Sequence, residues 1–130
     1  MIGEQKLSID GKEYALRADW KTGQLIAERV ADPFTIIADF AKAQALGEIT
    51  GYEAQFDFNM TNSIRIIHAG LDGINAGVSI DDVGNYFMGS KMAAATSAAM
   101  AFIMLFSSDA DLLGEGETNG EGKEPTGENS

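Results

Sequence analysis

The chain has 130 residues, a length typical of a single domain, and its nine basic and twenty acidic side chains give a formal charge of −11. That charge disfavours nucleic acid and anionic membrane surfaces as partners, because both are themselves polyanions. The absence of cysteine excludes disulfides and thiolate metal sites, and the single histidine, His68, excludes a site built from two imidazoles of one chain. Residues 1–9 lack the apolar run of a signal peptide, so we expect a protein of the cytoplasm.

A β-hairpin is predicted at residues 6–17. Asp10 and Gly11 form a strong two-residue turn signal, since glycine accepts a positive φ without steric cost. A lone hairpin is marginally stable in water, so a helix must cover its apolar face. Apolar residues alternate with polar ones on both sides of the turn, at Leu7, Ile9, Tyr14 and Leu16.

Two helices are predicted next, each opened by an aspartate cap. Asp19 begins a helix that runs to about residue 31, and Asp32 followed by Pro33 begins a second helix that ends at Leu46, before Gly47. The side chains expected inward are Trp20, Ala27, Val30 and Ala31 in the first helix, and Phe34, Ile37, Ala38, Ala41 and Ala45 in the second, with Ile36 and Phe40 widening the stripe.

Residues 48–60 have two interpretations. Their apolar side chains fall at even positions, which is typical of a strand. The same spacing also fits a loop that pins aromatic side chains onto the core. The residues concerned are Tyr52, Ala54, Phe56, Phe58 and Met60.

Two further helices follow this segment. Thr61 or Asn62 opens the third, and Ser79 with Asp82 resembles a capping box that opens the fourth, at about residues 80–88. The third carries the apolar spacing of a buried helix. The inward residues are Ile64, Ile67, His68, Leu71 and Ile74 in the third helix, and Val83, Phe87 and in part Tyr86 in the fourth.

The last predicted helix covers residues 91–106 and carries no charge after Lys91. It is shorter than the ~20 residues that a bilayer span needs. We therefore expect either a buried central helix or a helix that buries a second face against another chain.

The C-terminal segment differs in composition from the rest of the chain. Residues 107–130 contain seven acidic side chains and one basic side chain, and no apolar side chain follows Leu113. Such a segment buries too little surface to offset its ordering entropy. We expect a folded domain at residues 1–112 and a disordered acidic tail at 113–130. The predicted fold class is mainly α (α+β), an N-terminal hairpin followed by four to five packed helices.

No constellation of residues predicts catalysis. His68 could be a general base, but no nucleophile or oriented carboxylate is spaced near it, so a hydrogen-bonded core or interface histidine is favoured. The segment from Asp57 to Thr61 begins like a calcium loop and then loses the pattern, which favours a helix cap. We therefore predict a protein that is not an enzyme, with no metal site and no cofactor.

Methionines cluster in the last two helices, at Met88, Met92, Met100 and Met104. Methionine fills gaps in cores, and it also forms adaptable surfaces for partners. The candidate partner-binding residues are Tyr86, Phe87, Met88, Met104 and Phe106.

The order and spacing of four segments resemble a known family. They are residues 7–17 (LSIDGKEYALR), 25–28 (LIAE), 66–71 (IIHAGL) and 78–84 (VSIDDVG), followed by an apolar final helix and a hydrophilic tail. In these features the chain resembles the small tail-assembly chaperones of long-tailed phages and gene transfer agents.

The resemblance implies a non-catalytic role in tail morphogenesis. Such proteins bind the tape-measure protein, keep its long apolar helix soluble, help recruit tail tube subunits and leave before the particle is finished. They act in the cytoplasm of the bacterial host and tend to self-associate. The alternative is a structural tail component, such as a tail tube or tail-completion subunit, but tube subunits are usually rich in strands and this sequence has few strand signals.

Overall fold

The computed structural model describes residues 2–107; the predicted domain boundary at residue 112 and the predicted disordered tail lie outside them. The described part is mainly helical with one N-terminal hairpin, which confirms the predicted fold class. Its elements in chain order are β1 (Glu4–Ile9), β2 (Lys12–Arg17), α1 (Trp20–Arg29), α2 (Pro33–Thr50), α3 (Met60–Gly73), α4 (Ile80–Phe87), a 3₁₀ turn (Gly89–Lys91) and α5 (Met92–Leu105).

The hairpin forms where its turn signal predicts. Asp10 and Gly11 have φ values of 52° and 79°, the pair of positive angles that a tight two-residue turn requires. The register sets Leu7 opposite Tyr14, so the apolar side chains of both strands share one face. That face lies on the core and buries Leu7, Ile9 and Leu16.

Helix α3 is the centre of the fold. It packs against α1, α4, α5 and β2, and seven of its fourteen residues are buried. Gly70 permits the close approach, because a Cβ atom there would lie 3.0 Å from Leu16 Cδ1 and 3.1 Å from Phe102 Cε2. The buried residues are Ser63, Ile64, Ile66, Ile67, Ala69, Gly70 and Leu71.

The prediction that α5 is a buried central helix is wrong. It buries Ala95, Ala99, Phe102 and Ile103, while Met100 on its other side is exposed. Small alanines make α5 apolar all round, so its sequence could not show that only one side meets the core. The alternative, that another chain covers the second side, stays a prediction.

The predicted inward faces of α1 and α2 are wrong in part. Trp20 is 81% exposed and Phe34 is 55% exposed, whereas Thr22, Ile26 and Ile36 are buried. Each predicted stripe therefore combines residues that pack on the core with residues that face solvent, because both helices carry apolar side chains on more than one side. The other exposed members of the predicted stripes are Ala27, Ala38, Ala41 and Ala45; Val30, Ala31, Ile37 and Phe40 are half-buried.

Helix α2 also runs one turn further than predicted. It ends at Thr50 rather than Leu46, and Gly51, with φ of 76°, is the residue that caps it. The Gly51 N–H donates to Gly47 O at 2.9 Å. Gly47 instead makes room for the returning chain, since a Cβ atom there would lie 3.3 Å from Tyr52 O.

The segment after α2 is a loop, as the second interpretation of the alternating pattern predicted. Asp39 on α2 holds it: the carboxylate accepts hydrogen bonds from Tyr52 Oη at 2.5 Å, Gln55 N at 2.6 Å and Phe56 N at 2.9 Å. Phe58 is buried and stacks on Phe40 with ring centroids 5.5 Å apart. The loop therefore pins its aromatic side chains onto the core.

Side-chain caps fix the starts of α3 and α4. Asn59 accepts from Asn62 N at 2.8 Å, so α3 begins at Met60, slightly before the predicted position. Ser79 Oγ accepts from Asp82 N at 3.1 Å, which confirms the predicted start of α4. No single helix within residues 2–107 is long and apolar enough to cross a membrane, although α4 and residues 89–105, bent by 96°, together pass that test by length and composition.

Candidate partner-binding surfaces

An open groove lies where the start of α3 meets α4 and the start of α5. Its volume is about 350 Å³, and four of its apolar side chains are Met60, Ile80, Met88 and Met92, which define the methionine groove. Met88 is 59% exposed and Met60 is 49% exposed. Arg65 and Asp81 also line it. The groove thus offers flexible apolar side chains to solvent, the composition of a surface that adapts to its partner.

A break between two helices creates the methionine groove. Met88 ends α4 in an extended conformation, and Gly89, with φ of 84°, turns the chain into the 3₁₀ turn. The following helix leaves at 96° to α4, so the side chain of Met88 is not covered by the next turn of a continuous helix.

A second groove of about 350 Å³ lies between α1, the start of α2 and the residue after α5. Trp20, Phe34 and Phe106 line it and define the aromatic groove. Phe106 is half-buried and packs edge-on against Phe102, with ring centroids 5.4 Å apart. Gly23 admits this ring, because a Cβ atom there would lie 3.3 Å from Phe106 Cε2.

The structure does not bring the five predicted partner-binding residues together. Met88 lines the methionine groove and Phe106 lines the aromatic groove, at opposite ends of α5 and about 20 Å apart by helix rise. Phe87 is 3% exposed and belongs to the core, not to a surface. Tyr86 is half-buried under Lys91 Nζ, which lies 4.4 Å from the ring centroid, and Met104 is half-buried on α5.

Sequence reasoning missed four exposed apolar residues of these grooves: Trp20, Phe34, Met60 and Ile80. Trp20 and Phe34 were assigned to the core, although each lies in the first turn of its helix beside an aspartate cap. In α1 the buried residues are Thr22 and Ile26, one turn apart, and the polar character of Thr22 gave no signal of that face.

His68 lies in a hydrogen-bonded cluster that joins α1, α3 and the segment before α4. Arg29 Nη1 lies 3.4 Å from Nδ1, and Nε2 lies 3.0 Å from Val78 O. Because a guanidinium only donates and a carbonyl only accepts, this geometry assigns the ring proton to Nε2. Asp72, one turn further along α3, binds Arg29 at 2.8 Å.

Asp72 is a carboxylate close to His68, although the sequence analysis expected none near this histidine. Its Oδ1 lies 3.6 Å from His68 Nε2, at the i,i+4 spacing of one helix face. Both ring nitrogens of His68 are nonetheless engaged by Arg29 and Val78, which is the arrangement of a histidine that ties elements together. Residues 2–107 contain no group of three or more histidine, aspartate and glutamate side chains that could hold a metal ion.

Comparison with known proteins gives no match: no family model matches the chain, and neither a curated protein nor a solved structure does. The family resemblance carried by the four segments therefore stays a prediction.

Proposed function

We propose that this protein is a non-enzymatic tail-assembly chaperone of a long-tailed phage or gene transfer agent, and that it binds an apolar helical segment of the tape-measure protein in the methionine groove. It would help recruit tail tube subunits and leave before the particle is complete. The observation that carries the proposal is the exposure of Met60 and Met88 beside an open groove between helices.

The groove has the size and chemistry that this role needs. A volume of about 350 Å³ accepts one or two large side chains. An amphipathic helix presents such anchors at i, i+3 or i+4, and i+7, and it binds by laying them into an apolar groove. Methionine side chains have three rotatable bonds, so they can fit successive anchors of different shape along a long client.

The charge of the chain supports the same role. A chaperone that covers an apolar helix must keep the complex in solution, and a formal charge of −11 opposes association between complexes. Seven of the twenty acidic side chains lie in residues 107–130, after the last helix. The alternative of a tail tube subunit gains no support from the described residues, whose one sheet has two strands.

Co-expression of the full chain with a tagged segment of the tape-measure protein tests the proposal. Met88→Glu places a charge in the groove without touching the core, so we expect loss of the client from the pull-down while circular dichroism stays unchanged. Met100→Glu is the matched control, because Met100 is exposed on α5 outside the groove. Unaltered capture by Met88→Glu would exclude the methionine groove as the client site.

Self-association, which the resemblance also implies, is tested on the same samples. Light scattering should give a mass above that of one chain for the free protein. A monomer at all accessible concentrations would remove self-association from the proposal and leave client binding in place.

A further inference from the structure

We propose that the aromatic groove is a second docking site, and that its occupant is a polypeptide segment with a large apolar side chain next to lysine or arginine. The proposal goes beyond the chaperone function and does not rest on it. It is carried by the exposed aromatic rings, the open volume between them and the charge of the groove.

The apolar component is unusual for a small domain. Trp20 and Phe34 are more than half exposed, and both rings border the same open volume. Ala27 and Phe106 add apolar walls, and Gly23 leaves the floor without a side chain. Single exposed apolar residues need no explanation, but two large aromatic rings around one groove mark an interaction site.

The polar component consists of two carboxylates. Asp19 and Asp32 line the groove, and each uses Oδ1 to cap its helix, accepting from Thr22 N at 3.0 Å and Phe34 N at 2.8 Å respectively. Within the described part of the chain, the charged neighbour of Asp19 Oδ2 is Nε of the exposed Arg17, at a long distance of 3.7 Å. Among the described residues that line the groove there is no lysine or arginine, so its electrostatic complement is a cation.

Charge also decides between possible occupants. A second copy of the chain, which carries the same formal charge of −11, is a poorer complement for Asp19 and Asp32 than a basic segment is, and the self-association expected above does not require this groove. The apolar pair Leu112–Leu113 follows Phe106 closely enough to reach the groove, but Asp109 and Asp111 accompany it. A basic segment of a different protein gains attraction from the same carboxylates, and we therefore assign the groove to that partner.

Fluorescence of Trp20 reports on the groove directly, because the chain has one tryptophan. The probe is a synthetic dodecapeptide without tryptophan or tyrosine, with leucine and phenylalanine anchors flanked by arginines. With the full chain we expect a saturable blue shift of the emission that weakens as salt is added. A matched peptide with glutamate in place of each arginine should bind roughly tenfold more weakly or not at all.

Variants separate the two components of the groove. Asp19→Asn with Asp32→Asn keeps both helix caps, since asparagine caps as well as aspartate does, and removes the charge. We expect this double variant to lose most of the salt dependence and several-fold in affinity. Phe34→Ala should abolish the shift, whereas Ile49→Ala, at an even more exposed apolar residue near the far end of α2, should leave it intact.

Three results would overturn the proposal. The first is an equal response to the acidic and basic peptides. The second is a red shift of the free protein on Leu112→Ser with Leu113→Ser, which would place the chain's own segment in the groove. The third is a Trp20 emission maximum that shifts with protein concentration in parallel with the molecular mass of the protein. That result would assign the groove to a second copy of the chain. None of these results bears on the capture experiment with Met88→Glu.

Discussion

Thr22 carries a buried hydroxyl oxygen that has no hydrogen-bond partner among residues 2–107. The residue is fully buried on α1, and a Cβ atom added to Gly73 would overlap its hydroxyl oxygen. The side chain therefore fills space between α1 and α3 while its hydroxyl group lacks the hydrogen bonds that water supplies in the unfolded chain.

Replacing this hydroxyl group should stabilise the protein. Thr22→Val keeps the shape and removes the unpaired group, so we expect the free energy of unfolding to rise by about 1 kcal/mol. Thr22→Ser is the control, because it keeps the hydroxyl group, loses a buried methyl group and should lower stability. Urea denaturation of the two variants measures both changes. A valine variant no more stable than the parent would show that the hydroxyl group has a partner in solution.

His68 should contribute to stability and not to catalysis. His68→Gln disturbs the bonds to Arg29 and Val78, so we expect a loss of about 1–3 kcal/mol in the free energy of unfolding. Chemical denaturation measures the loss. A hydrolase or transferase activity that disappears with this substitution would contradict the non-enzymatic proposal.

Among the elements, the loop at residues 51–59 depends on one ionised side chain. The hydrogen bond from the Tyr52 hydroxyl, followed by the Phe56 N–H, lowers the pKa of Asp39 below its ordinary value of 3.8. The same bond to Asp39 raises the pKa of Tyr52 above 10.0. The carboxylate therefore binds the loop in its charged form, and Tyr52 does so in its neutral form.

These shifts fix the pH range in which the loop stays attached. Ionised Asp39 stabilises the folded protein at pH values above the carboxyl pKa of the unfolded chain. This stabilisation is lost as the pH falls through the lower pKa that Asp39 has in the folded protein. Neutral Tyr52 stabilises the folded protein at pH values below the pKa of tyrosine in the unfolded chain. This stabilisation is lost as the pH rises through the higher pKa that Tyr52 has in the folded protein. The Gln55 and Phe56 amides should therefore lose protection against hydrogen exchange as the pH falls below about 4.

Asp39→Asn should loosen the loop at neutral pH. The variant removes the charge that accepts three hydrogen bonds, so the Gln55 and Phe56 amides should exchange faster while α3 amides keep their protection. Asp57→Asn is the matched control, an exposed carboxylate of the same loop. Equal exchange in both variants would show that aromatic packing alone holds the loop.

The sequence predicts where most elements begin, and it predicts only in part which side of α1 and of α2 faces the core. Starts are local: Asp19, Asp32 and Ser79 cap their helices through hydrogen bonds that span two or three residues. Orientation is not local. Phe34 and Ile36 both read as core residues, and only the packing of α2 against α1 and α5 decides that Ile36 is buried.

The candidate surfaces were less predictable than the helices for the same reason. Met88 could be assigned to a surface because methionines cluster in the last two helices and Met88 lies at the end of its helix. The groove around it needs Met60 from α3, a residue far away in the chain. Spacing along one element carries no information on which other element lies opposite.

For the whole molecule, we expect the acidic segment to be dispensable for folding. Truncation after Leu113 removes no apolar side chain, so the melting temperature should stay almost unchanged. Solubility at low salt should fall, because the removed residues carry much of the repulsive charge. Calorimetry and turbidity at matched concentrations measure the two effects. A loss of several degrees would show that the segment packs on the folded domain.

The contact between the first strand and the last helix has a consequence for biosynthesis. β1 packs on α5, and a Cβ atom at Gly3 would lie 3.3 Å from Leu105 Cβ. A ribosome that adds about 5–20 residues per second needs several seconds to reach α5 after it has made β1, whereas a hairpin forms in microseconds. Leu7 and Ile9 of the nascent chain therefore stay uncovered by α5 for seconds, and the core closes only when nearly all of the described chain has been translated.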